Sequence, residues 1–583
     1  MKKIVLLAVC ILTLTLAFAS CNIINGGEGG DGTDAVKYSK GLRFEPNGDG
    51  TCYLKDEGIF DGEELIIPPR SPAGDRVVGI GESAFTGKVN IRKVVIPDSV
   101  VEIGDSAFER CGIEELVIGD GVTKIGRRAF VNCPLKSVDF GEGETVIGYE
   151  AFRGVESLTE LNLSPNTKEI EDFAFYRMEK LERVNIPGGV TRIGKEAFRD
   201  CHKLSEPDFD EGDAELVIDE YAFDSCYEIV KLTLPERTVS IGSCAFQFCG
   251  KIKSVNFPTA LRSIGDYAFA HCGVLSEAIL PDGLSDVGVG VFYECTKMTS
   301  VRLPSDMTHL PDKLLMCCRA LTEISLPAGL TYIGDGALDA CIKITEINIP
   351  EGVTYIGDNA FRGTAITSIT IPDSVTEMGN GVFSACLKLT SVDWPDKVTV
   401  ISERCFEHCD SLTAFIVPEW VTSIGSQAFW ACQNLSEVVL PEGLQGIGYG
   451  SFEYCTALRE IILPEELTVL GNSSFSKCKL LQSVTIPEGI TVIGEFVFDG
   501  CTALSEVTFN GEITYIERCA FSGTAIEEIT LPASLKRIDY DAFGVSLKRV
   551  IFEGNEAQFA DINIHGDNDA LLSAEVMYIG SDN

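Results

Sequence analysis

The chain has 583 residues, a length at which a single globular core would normally divide into several domains. Its hydrophobic fraction of 45% is that of a folded protein and excludes wholesale disorder. The formal net charge of −40 repels phosphate backbones and argues against nucleic acid as a partner.

Residues 1–20 are predicted to be a signal peptide. Lys2 and Lys3 form a basic start, and the apolar run from Ile4 to Leu16 is too short to span a bilayer. The next residues, Phe18-Ala19-Ser20-Cys21, resemble the lipobox of bacterial lipoproteins, in which the cysteine carries the lipid. Phe18 replaces the more usual Leu, and the alternative is an ordinary secretory signal followed by an incidental cysteine.

A flexible tether is expected to follow over residues 21–40, because this stretch contains a polar, glycine-rich run. The rest of the chain has no run of eighteen consecutive apolar residues. Attachment to a membrane is therefore expected through the lipid on Cys21 alone.

The remainder of the chain is dominated by an internal repeat. About twenty-one units, from Ile80 to residue 548, follow the pattern I-G-x-x-A-F-x-x-C-x-x-L-x-x-V-x-I-P-x-x-V-T at a period of about 23 residues. A unit this short cannot bury its own apolar face, so neighbouring units must stack and share a core. The sequence therefore predicts a single-domain solenoid over residues 80–548.

Each unit is expected to contribute two extended stretches and one turn. The L-x-x-V-x-I segment alternates apolar and polar residues, which predicts a short strand paired in parallel with that of the next unit. The V-T-x-I segment predicts a second extended stretch, and A-F-x-x-C predicts one helical or 3₁₀ turn that inserts Phe into the core. The expected fold class is an α/β solenoid that forms a curved superhelix.

The residues on either side of the central Val of the strand should point outward. One outward row begins with polar residues such as Asn162, Asn185 and Asn256 and later changes to Ile416, Val439 and Ile462. These six outward residues are candidate binding residues. The companion row places Glu437 and Glu460 on successive units. The apolar trio is either a binding patch or a consequence of β-propensity, and the stacked carboxylates are either tolerated or meet a basic partner or Ca²⁺.

One unit departs from the pattern. Pro207 occupies an inward strand position, and an acidic insertion, residues 208–213, follows it. Because proline cannot donate to a sheet ladder, a bulge or a bend is expected here.

Most of the 22 cysteines recur at one position of the unit. Val155 and Met178 occupy the same position in other units, so the position is predicted to hold a small buried hydrophobic residue and not a disulfide. Five cysteines outside this register are the expected candidates for oxidation: Cys52, Cys244, Cys317, Cys405 and Cys519.

Catalysis and metal binding find little support in the sequence. The chain has five histidines and no C-x-x-C, P-loop, nucleophile-elbow or H-E-x-x-H motif. His-Cys neighbours such as His271-Cys272 invite a nucleophile hypothesis, but the cysteine belongs to the core position and the histidine should point away. The sequence therefore predicts a protein that is not an enzyme and that binds no cofactor and no metal.

From Gly41 to the C-terminus the iterated I-G-x-x-A-F-x-x-C motif resembles the BspA-like, Treponema-type leucine-rich repeats of bacterial surface proteins. The resemblance implies an opening cap over residues 41–79, where Gly41-Leu42-Arg43-Phe44 stands, and a closing cap over 549–583, where Phe552-Glu553-Gly554-Asn555 stands. Such caps would cover apolar end units that are otherwise bare.

The resemblance also implies a surface location and a role in adhesion. The expected function is that of a lipid-anchored bacterial surface protein that binds host proteins, neighbouring cells or polysaccharide through its exposed strand face. The alternative is a structural spacer of the envelope without a specific external ligand.

Overall fold

The computed structural model describes residues 36–580. The predicted signal peptide, Cys21 and the tether as far as residue 35 lie outside the described residues. From Ser39 onward the chain forms one compact unit, a solenoid with 23 parallel rungs. This parallel-strand solenoid confirms the fold class predicted from the repeat.

The short-strand face is built mostly from two-residue strands that end in the Ile of I-G-x-x-A-F. Their strands form one hydrogen-bonded sheet of twelve strands and three of four. The strands are Arg43–Pro46, Thr51–Asp56, Arg76–Ile80, Glu102–Ile103, Lys124–Ile125, Val146–Ile147, Glu169–Ile170, Arg192–Ile193, Leu216–Ile218, Thr238–Ile241, Ser263–Ile264 and Asp286–Val287, then His309–Leu310, Tyr332–Ile333, Tyr355–Ile356 and Glu377–Met378, then Val400–Ile401, Ser423–Ile424, Gly446–Ile447 and Val469–Leu470, then Val492–Ile493, Tyr515–Ile516, Arg537–Ile538 and Asn563–Ile564.

The long-strand face consists of the L-x-x-V-x-I strands and is divided into shorter sheets. Its strands are Glu64–Ile66, Lys93–Ile96, Glu115–Ile118 and Ser137–Asp139, then Glu160–Asn162, Arg183–Ile186 and Glu206–Phe209, then the pairs Lys231–Thr233 with Ser254–Asn256, Glu277–Ile279 with Ser300–Arg302, Ser368–Thr370 with Ser391–Asp393, Ala414–Ile416 with Glu437–Val439 and Ser483–Ile486 with Glu506–Phe509, and finally Glu528–Leu531, Arg549–Phe552 and Glu575–Tyr578.

The A-F-x-x-C segments form the third side, the turn face. They are not helical: successive β-turns bond alternate N–H groups within the rung, as Cys133 N–H does to Phe130 O (3.2 Å), and send the others to the next rung, as Phe130 N–H does to Ala151 O (2.7 Å). Hydrogen bonds of the second kind join every rung to the next from Ser83 to Ala542. The turn face thus carries a third ladder, and it is the continuous one within residues 36–580.

This ladder requires left-handed backbone at two residues of each turn, four positions apart. In one rung these residues are Arg128, with φ of 59°, and Asn132, with φ of 56°. Left-handed backbone costs a residue other than glycine roughly 1 kcal/mol or more. The axial hydrogen bonds and the buried Phe offset that cost, since both depend on the same backbone shape.

The core is a column of stacked phenylalanines. Phe108 and Phe130 lie 5.3 Å apart between ring centroids with planes inclined by 4°, and the same arrangement recurs along most of the solenoid. The expected insertion of Phe into the core is confirmed. In two successive rungs Leu315 and Leu338 take this position and are fully buried.

The Gly of I-G-x-x-A-F is required by close approach between rungs. A Cβ on Gly471 would lie 2.4 Å from the carbonyl carbon of Gly448 in the preceding rung. Where a glycine follows the short strand, its N–H also commonly donates to a carbonyl of the preceding rung, as Gly104 N–H does to Ile80 O (2.8 Å). Pro311 has no N–H to donate, and the short-strand sheet of twelve strands ends just before this rung.

Pro207 does not bulge the long-strand ladder, contrary to expectation. It pairs in register with Val184, and the register shift occurs later, between Leu216 and Val217. The guanidinium of Arg237 fills the space behind the acidic insertion and donates to backbone carbonyls that include those of Pro187 (3.2 Å) and Ala214 (3.3 Å). The extra residues are accommodated by this buried side chain.

The ladders run into both ends of the solenoid. At the start, Thr51–Asp56 pairs antiparallel with Arg43–Pro46 and parallel with Arg76–Ile80. At the other end, Arg549–Phe552 pairs in parallel with Glu575–Tyr578. Helix within residues 36–580 is confined to this last region, at Glu556–Ala560 and Asp569–Ser573, and neither helix is long enough to cross a membrane.

Candidate functional site

The apolar trio predicted from the sequence lies on three consecutive rungs of the long-strand face. Ile416 pairs with Val439 in parallel register, and the next rung follows through a bridge between Glu437 and Glu460. The side chains of Ile416, Val439 and Ile462 are 74%, 46% and 75% exposed. We call these three residues the apolar strip.

Alternation along each strand explains why the strip faces water. Phe415, Val438 and Ile461 precede the strip residues and are all at least nine-tenths buried. Phe415 packs between Phe406 and Phe429, at centroid distances of 5.1 and 5.2 Å. The strands that carry the strip are therefore anchored from below by buried Phe, Val and Ile side chains.

Carboxylates border the strip. Glu437 and Glu460 occupy the companion row on neighbouring rungs, with Ala414 on the rung before them. Both glutamates are exposed, and no ion pair to either is formed within residues 36–580. Stacked like charges on a sheet are unfavourable, so a cationic group placed beside them would be attracted.

The asparagines of the polar row differ among themselves. Asn162 and Asn185 face each other on paired strands and carry no recorded side-chain hydrogen bond within residues 36–580. Asn256 is engaged: its Oδ1 accepts from Leu234 N–H and its Nδ2 donates to Leu234 O, both at 2.8 Å. Asn256 therefore completes the backbone pairing of the preceding rung, a role that the repeat pattern did not indicate.

The cysteine position serves hydrogen bonding as well as packing. All fifteen register cysteines donate Sγ–H to a main-chain carbonyl one rung back, usually that of the Phe, as Cys478 does to Phe452 O at 3.2 Å. Burial raises the pKa of these thiols, to about 12 for Cys201 and Cys432. Every cysteine from Cys52 onward is a free thiol, so the prediction of a non-disulfide core position is confirmed. The sequence pattern did not reveal the hydrogen bond, because Val and Met also fill the position.

The cysteines outside the register divide into two groups. Cys52 and Cys405 are fully buried, so their selection as candidates for oxidation was wrong: Cys52 is inward on its strand and Cys405 takes the Ala position of A-F. Cys244, Cys317 and Cys519 occupy left-handed positions of the turn face. Cys244 and Cys519 are also buried, at 8% and 9% exposure, so Cys317 alone of the five is partly accessible.

The His-Cys neighbours do not form a catalytic pair. Cys272 is fully buried and donates to Phe246 O at 3.4 Å, whereas His271 stacks on Phe248 and places Nδ1 3.1 Å from Glu294. The two side chains thus belong to different environments. No group of three or more His, Cys, Asp or Glu residues capable of holding a metal occurs in the part of the chain that the structure describes.

One carboxylate on the turn face has a strongly perturbed titration. Burial raises the pKa of Asp224 to about 6, although Arg199 Nε lies 2.9 Å from its Oδ2. Perturbed acids often mark functional sites, but here Asp224 shares Arg199 with Glu196, whose Oε2 lies 3.1 Å from the guanidinium. The arrangement is an ion-pair network between rungs.

A family model matches most of the solenoid. The BspA type leucine rich repeat region, in six copies, matches residues 78–205, 216–341, 308–436 and 422–548. These ranges coincide with the repeat and leave out the start of the chain, the acidic insertion and the last strands. No curated protein matches the chain significantly.

Several solved structures of leucine-rich repeat proteins are similar to the chain. A leucine-rich repeat protein from Bacteroides ovatus is 23% identical, covers 94% of this chain and 100% of its own, and has a TM-score of 0.39. A leucine rich cell surface protein from Faecalibacterium prausnitzii is 21% identical, covers 82% and 96%, and has a TM-score of 0.31. The T. pallidum leucine rich repeat protein is 24% identical, covers 41% and 80%, and has a TM-score of 0.24.

Proposed function

The chain belongs to the BspA-type leucine-rich repeat family, and from this premise we propose that it is a bacterial cell-surface protein that binds a protein or glycan partner through its long-strand face. The observation that carries the proposal is the apolar strip. Three large aliphatic side chains, carried on consecutive rungs by strands anchored from below, face water. Soluble proteins seldom keep a contiguous exposed apolar patch without a use for it.

The strip offers a useful but limited contact energy. Complete burial of one aliphatic side chain is worth about 1.5–3 kcal/mol. The three strip residues are 74%, 46% and 75% exposed, equivalent to about two fully exposed side chains. Covering the strip would therefore contribute roughly 3–6 kcal/mol before the costs of association. That amount anchors a contact but does not by itself give tight binding. Polar contacts along the neighbouring rungs would have to supply the remainder.

The charges favour a particular kind of partner. The net charge of −40 repels acidic surfaces, and Glu437 and Glu460 lie directly beside the strip. A partner segment with aliphatic and basic side chains would satisfy both features. Bridging by Ca²⁺ is the other way to neutralise the two carboxylates, and binding assays in EDTA separate the two possibilities.

Anchoring completes the proposal. A lipid on Cys21 would hold the solenoid at the membrane and leave residues from Gly41 onward free to meet a partner. The test is Cys21→Ala, which should move the protein from the membrane fraction to the soluble fraction. Membrane retention of the variant after detergent-free extraction would contradict the lipid anchor.

The binding role is tested with the triple variant Ile416→Thr, Val439→Thr and Ile462→Thr. Because the three side chains face water, the urea midpoint of unfolding should stay unchanged while binding to partners found on protein and glycan arrays weakens. If the triple variant unfolds at lower urea, the three residues are part of the core and the assignment of the strip fails.

A matched control uses the polar part of the same outward row, Asn162→Thr, Asn185→Thr and Asp208→Thr, on paired rungs. This variant should bind normally. Loss of binding here and retention in the strip variant would move the contact to the polar row. If the wild-type solenoid binds nothing detectable on either array, a spacer role in the envelope is favoured.

A further inference from the structure

Two carboxyl groups on the turn face lie almost completely inside the protein. Asp224 and Asp339 each follow the inward side chain of their turn, Phe223 and Leu338, and are only 2% and 4% exposed. The Oδ1 atom of each is buried and has no hydrogen-bond partner within residues 36–580. An ionised oxygen without a partner is costly to bury, so both carboxyls lie where their uncharged form is favoured.

Each of these carboxyls forms an ion pair across the junction between two rungs. Arg199 Nε lies 2.9 Å from Asp224 Oδ2, and Arg362 Nη1 lies 3.3 Å from Asp339 Oδ2. Both arginine side chains reach water, which screens their attraction, whereas the carboxyls have lost their hydration. Burial therefore outweighs the ion pair: it raises the pKa of Asp224 to about 6 and also raises the pKa of Asp339.

The same two junctions lack a ladder on the long-strand face. No backbone hydrogen bond joins Glu206–Phe209 to Lys231–Thr233 at the first junction, or residues 345–349 to Ser368–Thr370 at the second, in the described part of the chain. The turn face and the short-strand face therefore supply most of the backbone bonds that hold these rungs together. Because fewer other bonds oppose opening, a change in the stability of the turn face should have a larger effect here than at a junction bonded on all three faces.

Arginines, carboxylates and thiols surround the two carboxyls. The groups that face Asp224 are Glu196, Arg199 and Asp200 of the preceding rung, Cys226 of its own rung, and Cys244 and Cys249 of the following rung. The groups that face Asp339 are Cys317, Cys341, Arg362 and Cys386. Burial raises the pKa of all these thiols, so they stay uncharged at neutral pH. The carboxylates of Glu196 and Asp200 further oppose the ionisation of Asp224.

We propose that Asp224 and Asp339 make these two junctions pH-sensitive joints, which tighten when the carboxyls bind protons and loosen when they ionise. An aspartate in an opened junction titrates near its ordinary pKa of about 3.9, below its value in the closed junction. The stabilisation by the bound proton is therefore complete below about pH 3.9 and is lost at Asp224 as the pH rises through about 6. Each pKa unit corresponds to a tenfold change in an equilibrium, so the opening equilibrium constant at Asp224 should be about tenfold larger at pH 7 than at pH 5.

The joints are tested on the wild-type protein by hydrogen–deuterium exchange at pH 5.0 and 7.0. Protection factors, which correct for the intrinsic pH dependence of exchange, measure the opening equilibrium of each amide. The amides of Phe198 and Asp200 bond across the first junction, and those of Leu338 and Ala340 bond across the second. Protection at the first junction should be about tenfold higher at pH 5.0, and protection at the second should also be higher. Equal or lower protection at pH 5.0 would overturn the proposal.

Replacement of each carboxyl separates the two joints. Asparagine has the shape of aspartate and cannot ionise, so Asp224→Asn should give Phe198 and Asp200 at pH 7.0 the protection that they have in the wild type at pH 5.0. The variant should lose the pH response at the first junction and keep it at the second, and Asp339→Asn should do the reverse. An unchanged pH response at the altered junction in either variant would contradict the proposal.

A matched control tests whether the loss of any negative charge is enough. Asp499 occupies the same turn position, but its side chain is 20% exposed and its carboxylate lies 2.6 Å from Lys477 Nζ. Its junction is also bonded on the long-strand face, where Ser483–Ile486 pairs with Glu506–Phe509. Asp499→Asn should therefore not raise protection at its own junction at pH 7.0. An increase as large as that in Asp224→Asn would show a general effect of charge and would overturn the proposal.

A second control concerns the histidine near the first junction. His202 Nε2 lies 3.7 Å from Asp200 Oδ1, and a histidine ordinarily titrates near pH 6.5. His202→Gln should keep the pH response at Phe198. Loss of the response in this variant would assign it to the histidine and not to Asp224. The joints do not depend on the proposed binding role, so the two proposals fail separately.

Discussion

Raising the pH should unfold the solenoid through its cysteines. The fifteen register thiols are buried and donate to backbone carbonyls, and burial raises their pKa, to about 12 for Cys501. In the unfolded chain a thiol titrates near its ordinary pKa of about 8.5. The stability contributed by the protonated thiols is therefore complete below about pH 8.5 and is lost as the pH rises toward the folded pKa.

The magnitude follows from linkage. At pH 9.5 deprotonation stabilises each thiol of the unfolded chain by about 1.4 kcal/mol, whereas the folded thiol stays protonated. Fifteen such thiols amount to about 20 kcal/mol, which exceeds the whole stability of an ordinary domain. Few other side chains change charge between pH 8 and 9.5, because Tyr and Lys ordinarily titrate above pH 10.

The assay is urea unfolding at pH 7.0, 8.5 and 9.5 in the presence of a reductant. The slope of the unfolding free energy against pH counts the thiols in the unit that unfolds, and the urea dependence reports the size of that unit if the array unfolds in sections. Replacement of Cys409, Cys432, Cys455 and Cys478 by Val, which occupies this position at Val155, should lower the slope by about a quarter. A slope that the four substitutions leave unchanged would refute the reasoning.

Three further substitutions probe the core, the turn and the insertion. Phe452→Ala removes a ring stacked 5.2 and 5.4 Å from its neighbours and should lower the free energy of urea unfolding by about 3–5 kcal/mol. The control Phe248→Ala, at a position 42% exposed, should lower it by less than about 1 kcal/mol. Equal costs would contradict the stacked core. Gly363→Ala, at a φ of 67°, should lower the free energy of unfolding by about 1 kcal/mol. The control Gly329→Ala, where a Cβ meets nothing within 4 Å, should leave it unchanged. No effect of Gly363→Ala would show that the turn relaxes. Arg237→Met leaves several buried carbonyls without a donor and should lower the free energy of unfolding by about 2–4 kcal/mol. Amide exchange should become faster at residues 208–216 only. Unchanged exchange there would mean that Arg237 does not hold the insertion.

The period of the repeat was enough to predict the solenoid and the direction of its strand residues. Both depend on apolar spacing, which the sequence displays directly, so Ile416 and Phe415 could be assigned to opposite sides of the same strand. The closeness of the rungs at Gly471 could not be foreseen, because the sequence shows a recurring glycine but not the carbonyl carbon that lies 2.4 Å from the position of a Cβ.

The conformation of the turn face could not be predicted from residue types. Its left-handed positions hold Tyr454, Lys477 and Gly500 in successive rungs, so no composition marks them. The expectation of a helical turn considered one unit in isolation, whereas the hydrogen bonds that decide the backbone come from the next unit.

The continuity of the turn-face ladder has a mechanical consequence. A protein held at one end and bound at the other would experience tension along the axis of the stack, and both strand faces are interrupted, so neither can transmit that force from end to end through hydrogen bonds. The turn face has an axial hydrogen bond at every junction from Ser83 to Ala542. Under force the interrupted faces would separate first and the turn face would act as a flexible hinge line, so extension should begin with small reversible steps before any rung unravels.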